Sequence, residues 1–328
     1  SYASGSGVYD LKNRCYSPRL ISAAGLSSGI FPEIVPSTQV LGTLTAEAAQ
    51  ELGLPRSVKV VAGGVDNACM SLGAGAFREG RAYNALGSSS WIAVSSSAPL
   101  LDAAKHPYVF DHVVPGQYVS ALAIFSAGTA FSWVRDQLCR DLVDRALREN
   151  VNVYELMTAE AATSPVGANG LFFNPTLAGG NSLDVTPAVR GAFLNLDLRH
   201  TRADLLRATM EGIAFGLRNV LDELRRLTPI APPLTLVGGG ANSLLWRQLY
   251  ADVYDMSVVR TCAGQQAAAL GAAAVAGVGV GLWPDFGIID EISGVTDKNE
   301  PEGVAAAEYG RMFAKYKQAC ALLGEWAK

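Results

Sequence analysis

Residues 58–75 read VKVVAGGVDNACMSLGAG. An apolar run, Val58–Ala62, enters a pair of glycines, and one carboxylate, Asp66, precedes a series of small side chains. The pattern predicts a buried strand over Val58–Ala62, a tight turn and a small-residue helix over Asn67–Leu72. The residues alone leave two readings of Asp66 open. Aspartate between a strand and a helix is a good N-cap. It is also a general base, able to take a proton from a hydroxyl as that oxygen attacks phosphorus, while neighbouring glycines let a substrate approach.

Alternating short strands and helices surround this stretch, which points to an α/β chain. Thr45–Leu52 reads as a helix with Thr45 as N-cap and Gly53 as stop. Arg81–Leu86, Trp91–Ser95 and Tyr118–Phe125 are β-rich. Ala130–Leu147 and Val153–Ala162 read as helices, and residues 164–191 as a long surface excursion around a strand at Leu171–Phe173. Thr201–Leu227 is the clearest helix. Thr201 and Asp204 suggest a capping box, and Leu206, Met210, Ile213, Leu217, Val220 and Leu224 form one apolar stripe. Glu211 sits beside that stripe, either as part of a solvated face or as a buried polar contact. Leu234–Val237 is a strand, Ser243–Tyr254 a helix and Ser257–Arg260 a strand. Gln265–Ala276 is an Ala-rich helix suited to close packing against a backbone, and Val304–Trp326 closes the chain as a helix.

Composition removes several classes of function. The 328 residues are 49% hydrophobic and 17% charged, enough for a large core and too apolar for disorder. The net charge of −4 with no basic cluster gives no footprint for nucleic acid or an anionic membrane. Five scattered cysteines without a CxxC pair suggest a reduced, cytoplasmic protein. Three histidines form no zinc set, and no metal ligand is assigned. The longest apolar run, Ala267–Gly281, is too short for a membrane span. The opening SYASGSGVYDLKNRCYS, without Met, reads like the middle of something, so part of the natural protein is expected to be missing.

Glycine-rich turns are the remaining motifs. At GGGAN (238–242) a strand meets a glycine turn and then a helix, a recipe for holding phosphate through backbone N–H groups. GSSS (87–90) lies between two strands and offers N–H groups and hydroxyls without a helix dipole. Either turn could equally be a turn and nothing more. GxGxxG fails, with Ser243 and Arg78 where its last glycine belongs, and no GxxxxGK[ST] or GxSxG occurs. The residues therefore suggest a phosphate or nucleotide binder of another kind.

Taken in order, these motifs resemble the FGGY family of carbohydrate kinases. VVAGGVDNACMSLGAG is similar to the family's GGxDxxxxxxGxG, ALGSSSW to its xxGTSxx turn, and FSAGTAFSWVRD to its xxxGxxxxWxRD. GAFLNLDLRHTRADLLRATMEG resembles its second signature. VGGGANSLLWRQLYADV with QQAAALGAAAVAGVGVGLW is similar to its adenosine-binding end. The AS-rich start and the GGGANSLLWRQ block look most like the xylulokinase branch. Asn195, the turn GGNSLDVTP (179–187) and Gln266 depart from the family pattern.

The resemblance implies an actin-like ATPase (ribonuclease H-like) fold. Residues 1–60 would end the N-terminal sugar-binding lobe and 61–328 would form the ATP-binding lobe. It implies ATP-dependent phosphorylation of a ketose or polyol, D-xylulose first, with Asp66 as catalytic base and substrate contact. Gly87, Ser88, Ser89 and Gly128 would line the phosphates, and Gly238, Gly239, Gly240, Ala241 and Asn242 the adenosine. Magnesium is implied as a cofactor with its protein ligand absent, and a homodimer is compatible with the resemblance. The fragment alone is expected to be inactive. The alternatives are a non-catalytic sugar or nucleotide sensor on the same fold and, further behind, an actin-like ATPase that binds a protein partner.

Overall fold

The computed structural model describes residues 1–328. Its first part is a set of small pieces. Strands β1 (Tyr9–Asp10) and β2 (Cys15–Tyr16) pair antiparallel, and α1 (Pro18–Ala23) follows with the Ser17 hydroxyl accepting from the Leu20 N–H. Strand β3 (Val40–Thr43) pairs with β4 (Lys59–Val61) around α2 (Ala46–Leu52), which Thr45 caps and Gly53 ends in the left-handed region.

Strand β4 corrects the sequence reading. It is not buried: Val58 and Val60 are 37% and 38% exposed, and β4 lies in a two-stranded ribbon outside the main sheet. A lone ribbon has no second sheet neighbour to cover its open side, so a continuous apolar run does not imply burial on both faces.

Helix α3 (Asp66–Gly73) leads into the main sheet. Strands β5 (Ala82–Leu86), β6 (Ser90–Ser96), β7 (Tyr108–Asp111) and β8 (Tyr118–Ile124) are antiparallel. Helices α4 (Gly128–Leu138), α5 (Arg140–Glu149) and α6 (Val153–Ala161) follow, then the pair β9 (Phe172–Asn174) and β10 (Ala192–Leu194). The long α7 (Arg202–Leu227) precedes β11 (Leu234–Val237), α8 (Leu244–Tyr254) and β12 (Val258–Thr261). Helices α9 (Ala267–Gly279) and α10 (Ile288–Ile292), strand β13 (Val295–Asn299) and α11 (Gly303–Trp326) complete the chain. The seven-stranded sheet runs β13-β12-β11-β5-β6-β8-β7, with β5, β11 and β12 mutually parallel. No helix is long and apolar enough to cross a membrane.

Strand alternation divides the sheet between two cores. Ala82, Leu86, Ile92, Val94, Leu122 and Leu236 face the larger one, with α7, α8 and α11. Tyr83, Ala85, Ala93, Ala121 and Val237 face a smaller one, with α3 and α9. The apolar stripe of α7 is buried throughout, and Asp204 reaches back to the Thr201 N–H at 2.8 Å, as its spacing predicts.

Two further expectations change. The helix expected over Ala130–Leu147 is two, broken at Cys139 (φ −128°, ψ 33°). Each half keeps its own buried face, Phe131 and Val134 in one and Leu142 and Ala146 in the other, so the periodicity carries no sign of the break. Residues 164–191 are not purely a surface excursion. Leu171 and Phe173 are 1% exposed, β9 pairs with β10, and the Phe173 ring lies 4.6 Å from that of Phe193.

The tightest contact in the molecule is α3 against α9. A Cβ built on Gly73 would lie 1.9 Å from the Ala267 carbonyl oxygen, and one on Gly271 would lie 1.8 Å from that of Cys69. The two helices meet backbone to backbone, and neither position accepts a side chain without moving a helix. Gly271→Ala is expected to cost at least ~2 kcal/mol through overpacking, read as a lower urea midpoint at unchanged m value. Wild-type stability in that variant would show that the helices separate without cost.

Candidate active site

Gly87, Ser88 and Ser89 close the hairpin between β5 and β6. The carbonyls of this turn point at the start of α4. Gly87 O accepts from Gly128 N at 3.0 Å, and Ser88 O from Ala127 N at 3.0 Å and Thr129 N at 3.1 Å. The amides of Gly87, Ser88 and Ser89 donate to nothing within the chain. A Cβ on Gly128 would lie 2.5 Å from Gly87 O, which explains the residue type. Gly128 therefore supports the turn from below. Its own N–H is taken by Gly87 O, so Gly128 lines the cleft without offering a free amide.

The second turn rests on the same strand end. Gly238 has φ +94°, and a Cβ there would lie 2.6 Å from Leu86 O. One tight helical turn, Gly239–Asn242, follows, and Ser243 caps α8 through the Trp246 N–H. Buried Arg247 fixes this turn by donating from Nη1 to the carbonyls of Ala241 (2.8 Å) and Asn242 (3.0 Å). Its Nη2 lies 3.1 Å from Asp297. Asn242 Oδ1 accepts from Arg260 Nη1 at 3.1 Å, and Arg260 bonds Asp297 in turn. Hydrogen bonds from Arg260 and then Thr296 hold the Asp297 carboxyl below its ordinary value.

Together the turns line a cleft of about 770 Å³. Of the residues singled out by the sequence, Gly87, Ser88, Gly128, Gly239, Gly240 and Asn242 are brought to it. Ser89, Gly238 and Ala241 are adjacent but do not line it, Ala241 being fully buried beneath its turn. Sequence reasoning missed the aromatic wall of Phe131, Tyr154 and Trp246 and the side chain of Gln265. Phe131 stacks on Tyr154 at 5.9 Å and meets Trp246 edge-on at 5.6 Å. These aromatics lie at helix positions that read as core, so no local pattern marked them.

Asp66 stands outside this cleft. The helix starts on Asp66 itself with Val65 in the cap position, so the N-cap reading is corrected. Its Oδ1 accepts only from the N–H of Asn67, at 2.8 Å, and the residue is exposed. A Cβ on Gly64 would lie 2.2 Å from Val113 Cγ1, so the turn before Asp66 packs too closely for a side chain there. The fully buried Tyr83 donates to Asn67 O at 3.4 Å and accepts from Trp91 Nε1 at 3.1 Å, tying the helix start to the sheet. Burial, ahead of the nearby Asp66 charge, pushes the Tyr83 phenol far up, so it stays a neutral donor. Tyr83 precedes Gly87 by four residues, about 13 Å along one strand. No three His, Cys, Asp or Glu side chains converge.

The model of the FGGY carbohydrate kinase C-terminal domain matches residues 82–280, and that of the N-terminal domain matches residues 1–73. The chain belongs to the FGGY family of carbohydrate kinases. It is 31% identical over 296 residues to a xylulose kinase of Staphylococcus epidermidis, covering 88% of this chain and 57% of that protein. It is 33% identical over 290 residues to an autoinducer-2 kinase of Yersinia enterocolitica, covering 86% and 54%. A solved xylulose kinase from Rhodospirillum rubrum superposes with a TM-score of 0.85 at 28% identity, over 98% of this chain and 63% of that one. This FGGY chain thus spans little more than half the length of the relatives it matches, and its fold is the actin-like ATPase fold. Arg247→Met leaves the carbonyls of Ala241 and Asn242 without their side-chain donor, at about 1–3 kcal/mol for a buried acceptor left unsatisfied. The expected result is a large fall in melting temperature; a fall under a degree would show that the turn does not depend on Arg247.

Proposed function

We propose that this FGGY chain carries the ATP-binding lobe and the general base of a kinase for a ketose or polyol, with D-xylulose the first sugar to test. Residues 61–328 form the nucleotide lobe in this reading, and residues 1–60 the end of the sugar lobe. The observation that carries it is the hairpin turn at Gly87–Ser89. Its three amides are unbonded, two of their residues, Gly87 and Ser88, line a cleft large enough for a nucleotide, and an exposed carboxylate stands on the flank of the same strand. The xylulose kinase of Staphylococcus epidermidis supports the choice of sugar, and the autoinducer-2 kinase relative keeps other polyhydroxy acceptors in the test. The five unpaired cysteines suit the cytoplasm.

In this mechanism the aromatic wall and Gly239–Asn242 hold the adenosine. The amides of the hairpin turn and the Ser88 hydroxyl stabilise charge on the transferring phosphoryl group. Magnesium, when bound, supplies further charge neutralisation on the phosphates. Asp66 takes the proton from the attacking hydroxyl, and closure of a sugar lobe over it excludes water as a rival acceptor. Asp66→Asn in the full-length protein is expected to lower kcat by about two to four orders of magnitude, with ADP affinity unchanged in calorimetry. Turnover at the wild-type rate would remove Asp66 from the mechanism, and sugar binding without ADP formation by the wild type would turn the reading to a sensor.

A further inference from the structure

A second cavity, of about 200 Å³, has Ile124, Phe125 and Ser126 in its wall and shares no lining residue with the nucleotide cleft. Strand β8 ends in its wall at Ile124, and the chain then runs through Ala127 and Gly128 to line the cleft. The other walls are the start of the loop after β9, the turn at 179–185, Gly216 and Asn219 on α7, and Tyr316 to Ala321 on α11.

Its polar groups are unusual. Asn174 is 1% exposed, and its Nδ2 has no hydrogen-bond partner; Thr176 is 9% exposed, and its hydroxyl has none either. Both residues line the cavity, as does the half-buried Asn219. A buried donor left unpaired carries its full desolvation penalty, so such groups are normally satisfied by protein, water or ligand. Asp184 lies in the same wall, accepting from the Asn181 N–H at 2.8 Å, and burial raises its carboxyl above the ordinary range. The loop is tied in place by Ser126 Oγ, which accepts from Ala178 N at 2.9 Å. The walls are therefore built and not merely left by a loose fit.

The donor set selects the occupant. An anion would meet Asp184, and the only lining cation, Lys317, is exposed at the rim. A metal ion would find only one carboxylate among the lining side chains. An apolar molecule would leave Asn174 and Thr176 unpaired. Carboxamides, a hydroxyl and a carboxyl beside the Tyr316 ring suit neighbouring hydroxyls on a short carbon chain. At about 30 Å³ per water in the liquid, the cavity holds the volume of roughly six to seven waters, the size of a short polyol.

We propose that this cavity is a second binding site, separate from the nucleotide cleft and from Asp66, for a small neutral polyol recognised by Asn174, Thr176 and Asn219. The site is independent of the kinase reading, because none of its lining residues takes part in that mechanism. Cys320 lines the cavity and can report on it, and burial pushes its thiol up to about 12.

The test uses xylitol as probe and follows alkylation of each cysteine by mass spectrometry. Xylitol is expected to slow labelling of Cys320 and leave the exposed Cys262 unchanged. Asn174→Ala should weaken this protection about tenfold, the loss of one hydrogen bond. Asn219→Ala on the helix surface and Ala321→Trp at the mouth provide variants that leave the buried strand intact, and each should also weaken it. ADP binding by calorimetry should be unchanged in all three, which separates failure of this site from failure of the nucleotide reading. Cys320 labelling indifferent to xylitol, protection that survives all three substitutions, or a crystal soaked in xylitol that shows only water in the cavity would each overturn the proposal.

Discussion

The crossing of α3 and α9 fixes the distance on which the whole site depends. Asp66 opens α3, and Gln265 of the cleft stands just before α9. With Gly73 and Gly271 at the contact, each helix lies within carbonyl distance of the other's backbone. Small residues of the sheet below, Ala85 and Ala93, leave room for both helices to settle. A side chain at either glycine would push the two helices apart, and in the proposed mechanism Asp66 would move with α3 away from the turn at Gly87–Ser89. Displacements of about 1 Å are enough to cost on the order of a hundredfold in a transfer that relies on alignment.

The two turns obey a related constraint. A peptide group whose carbonyl is held inward leaves its neighbouring N–H groups free to face outward. At Gly87–Ser89 the carbonyls are held by the first amides of α4, and at Gly239–Asn242 by the guanidinium of Arg247. Both turns sit on Leu86, so the end of β5 sets their spacing. The cleft is thus assembled from one strand end, one helix start and one buried arginine, and the aromatic wall closes it from the side.

How far this could be read from the sequence follows from the range of each interaction. Helices α2 and α7 were legible because caps, stripes and stops are local, and the hairpin at 87–90 because its turn lies between two plain strands. The place of β4 was not legible, since an apolar run does not say which strand it will pair with. The break at Cys139 was hidden because both halves keep a helical period. Residues 164–191 looked like surface because glycine, proline and asparagine mark turns, while their burial comes from packing on α7, where a Cβ on Gly212 would lie 2.0 Å from Phe173 O. Of the site, the glycines and Asp66 announced themselves by residue type. The role of Gly128 as a support, the grip of Arg247 and the wall of Phe131, Tyr154 and Trp246 depend on contacts between distant segments.

Two carboxylates show how structure separates roles that sequence leaves mixed. Glu211 lies beside the stripe of α7, and its Oε1 accepts from Arg207 Nε at 2.7 Å, Tyr309 OH at 2.8 Å and Gly167 N at 2.9 Å. It is 1% exposed; burial raises its carboxyl and Arg207 opposes the shift. Such a group has no room for a substrate, and its task is to join α7, α11 and the loop at Gly167. Asp66 accepts from a single neighbouring amide and is open on its other side. Glu211 takes three bonds from the protein on Oε1 while its buried Oε2 takes none, whereas the carboxylate of Asp66 stands exposed. Position in the sequence gave both residues an ambiguous reading, and burial with three hydrogen bonds makes Glu211 a buried polar contact.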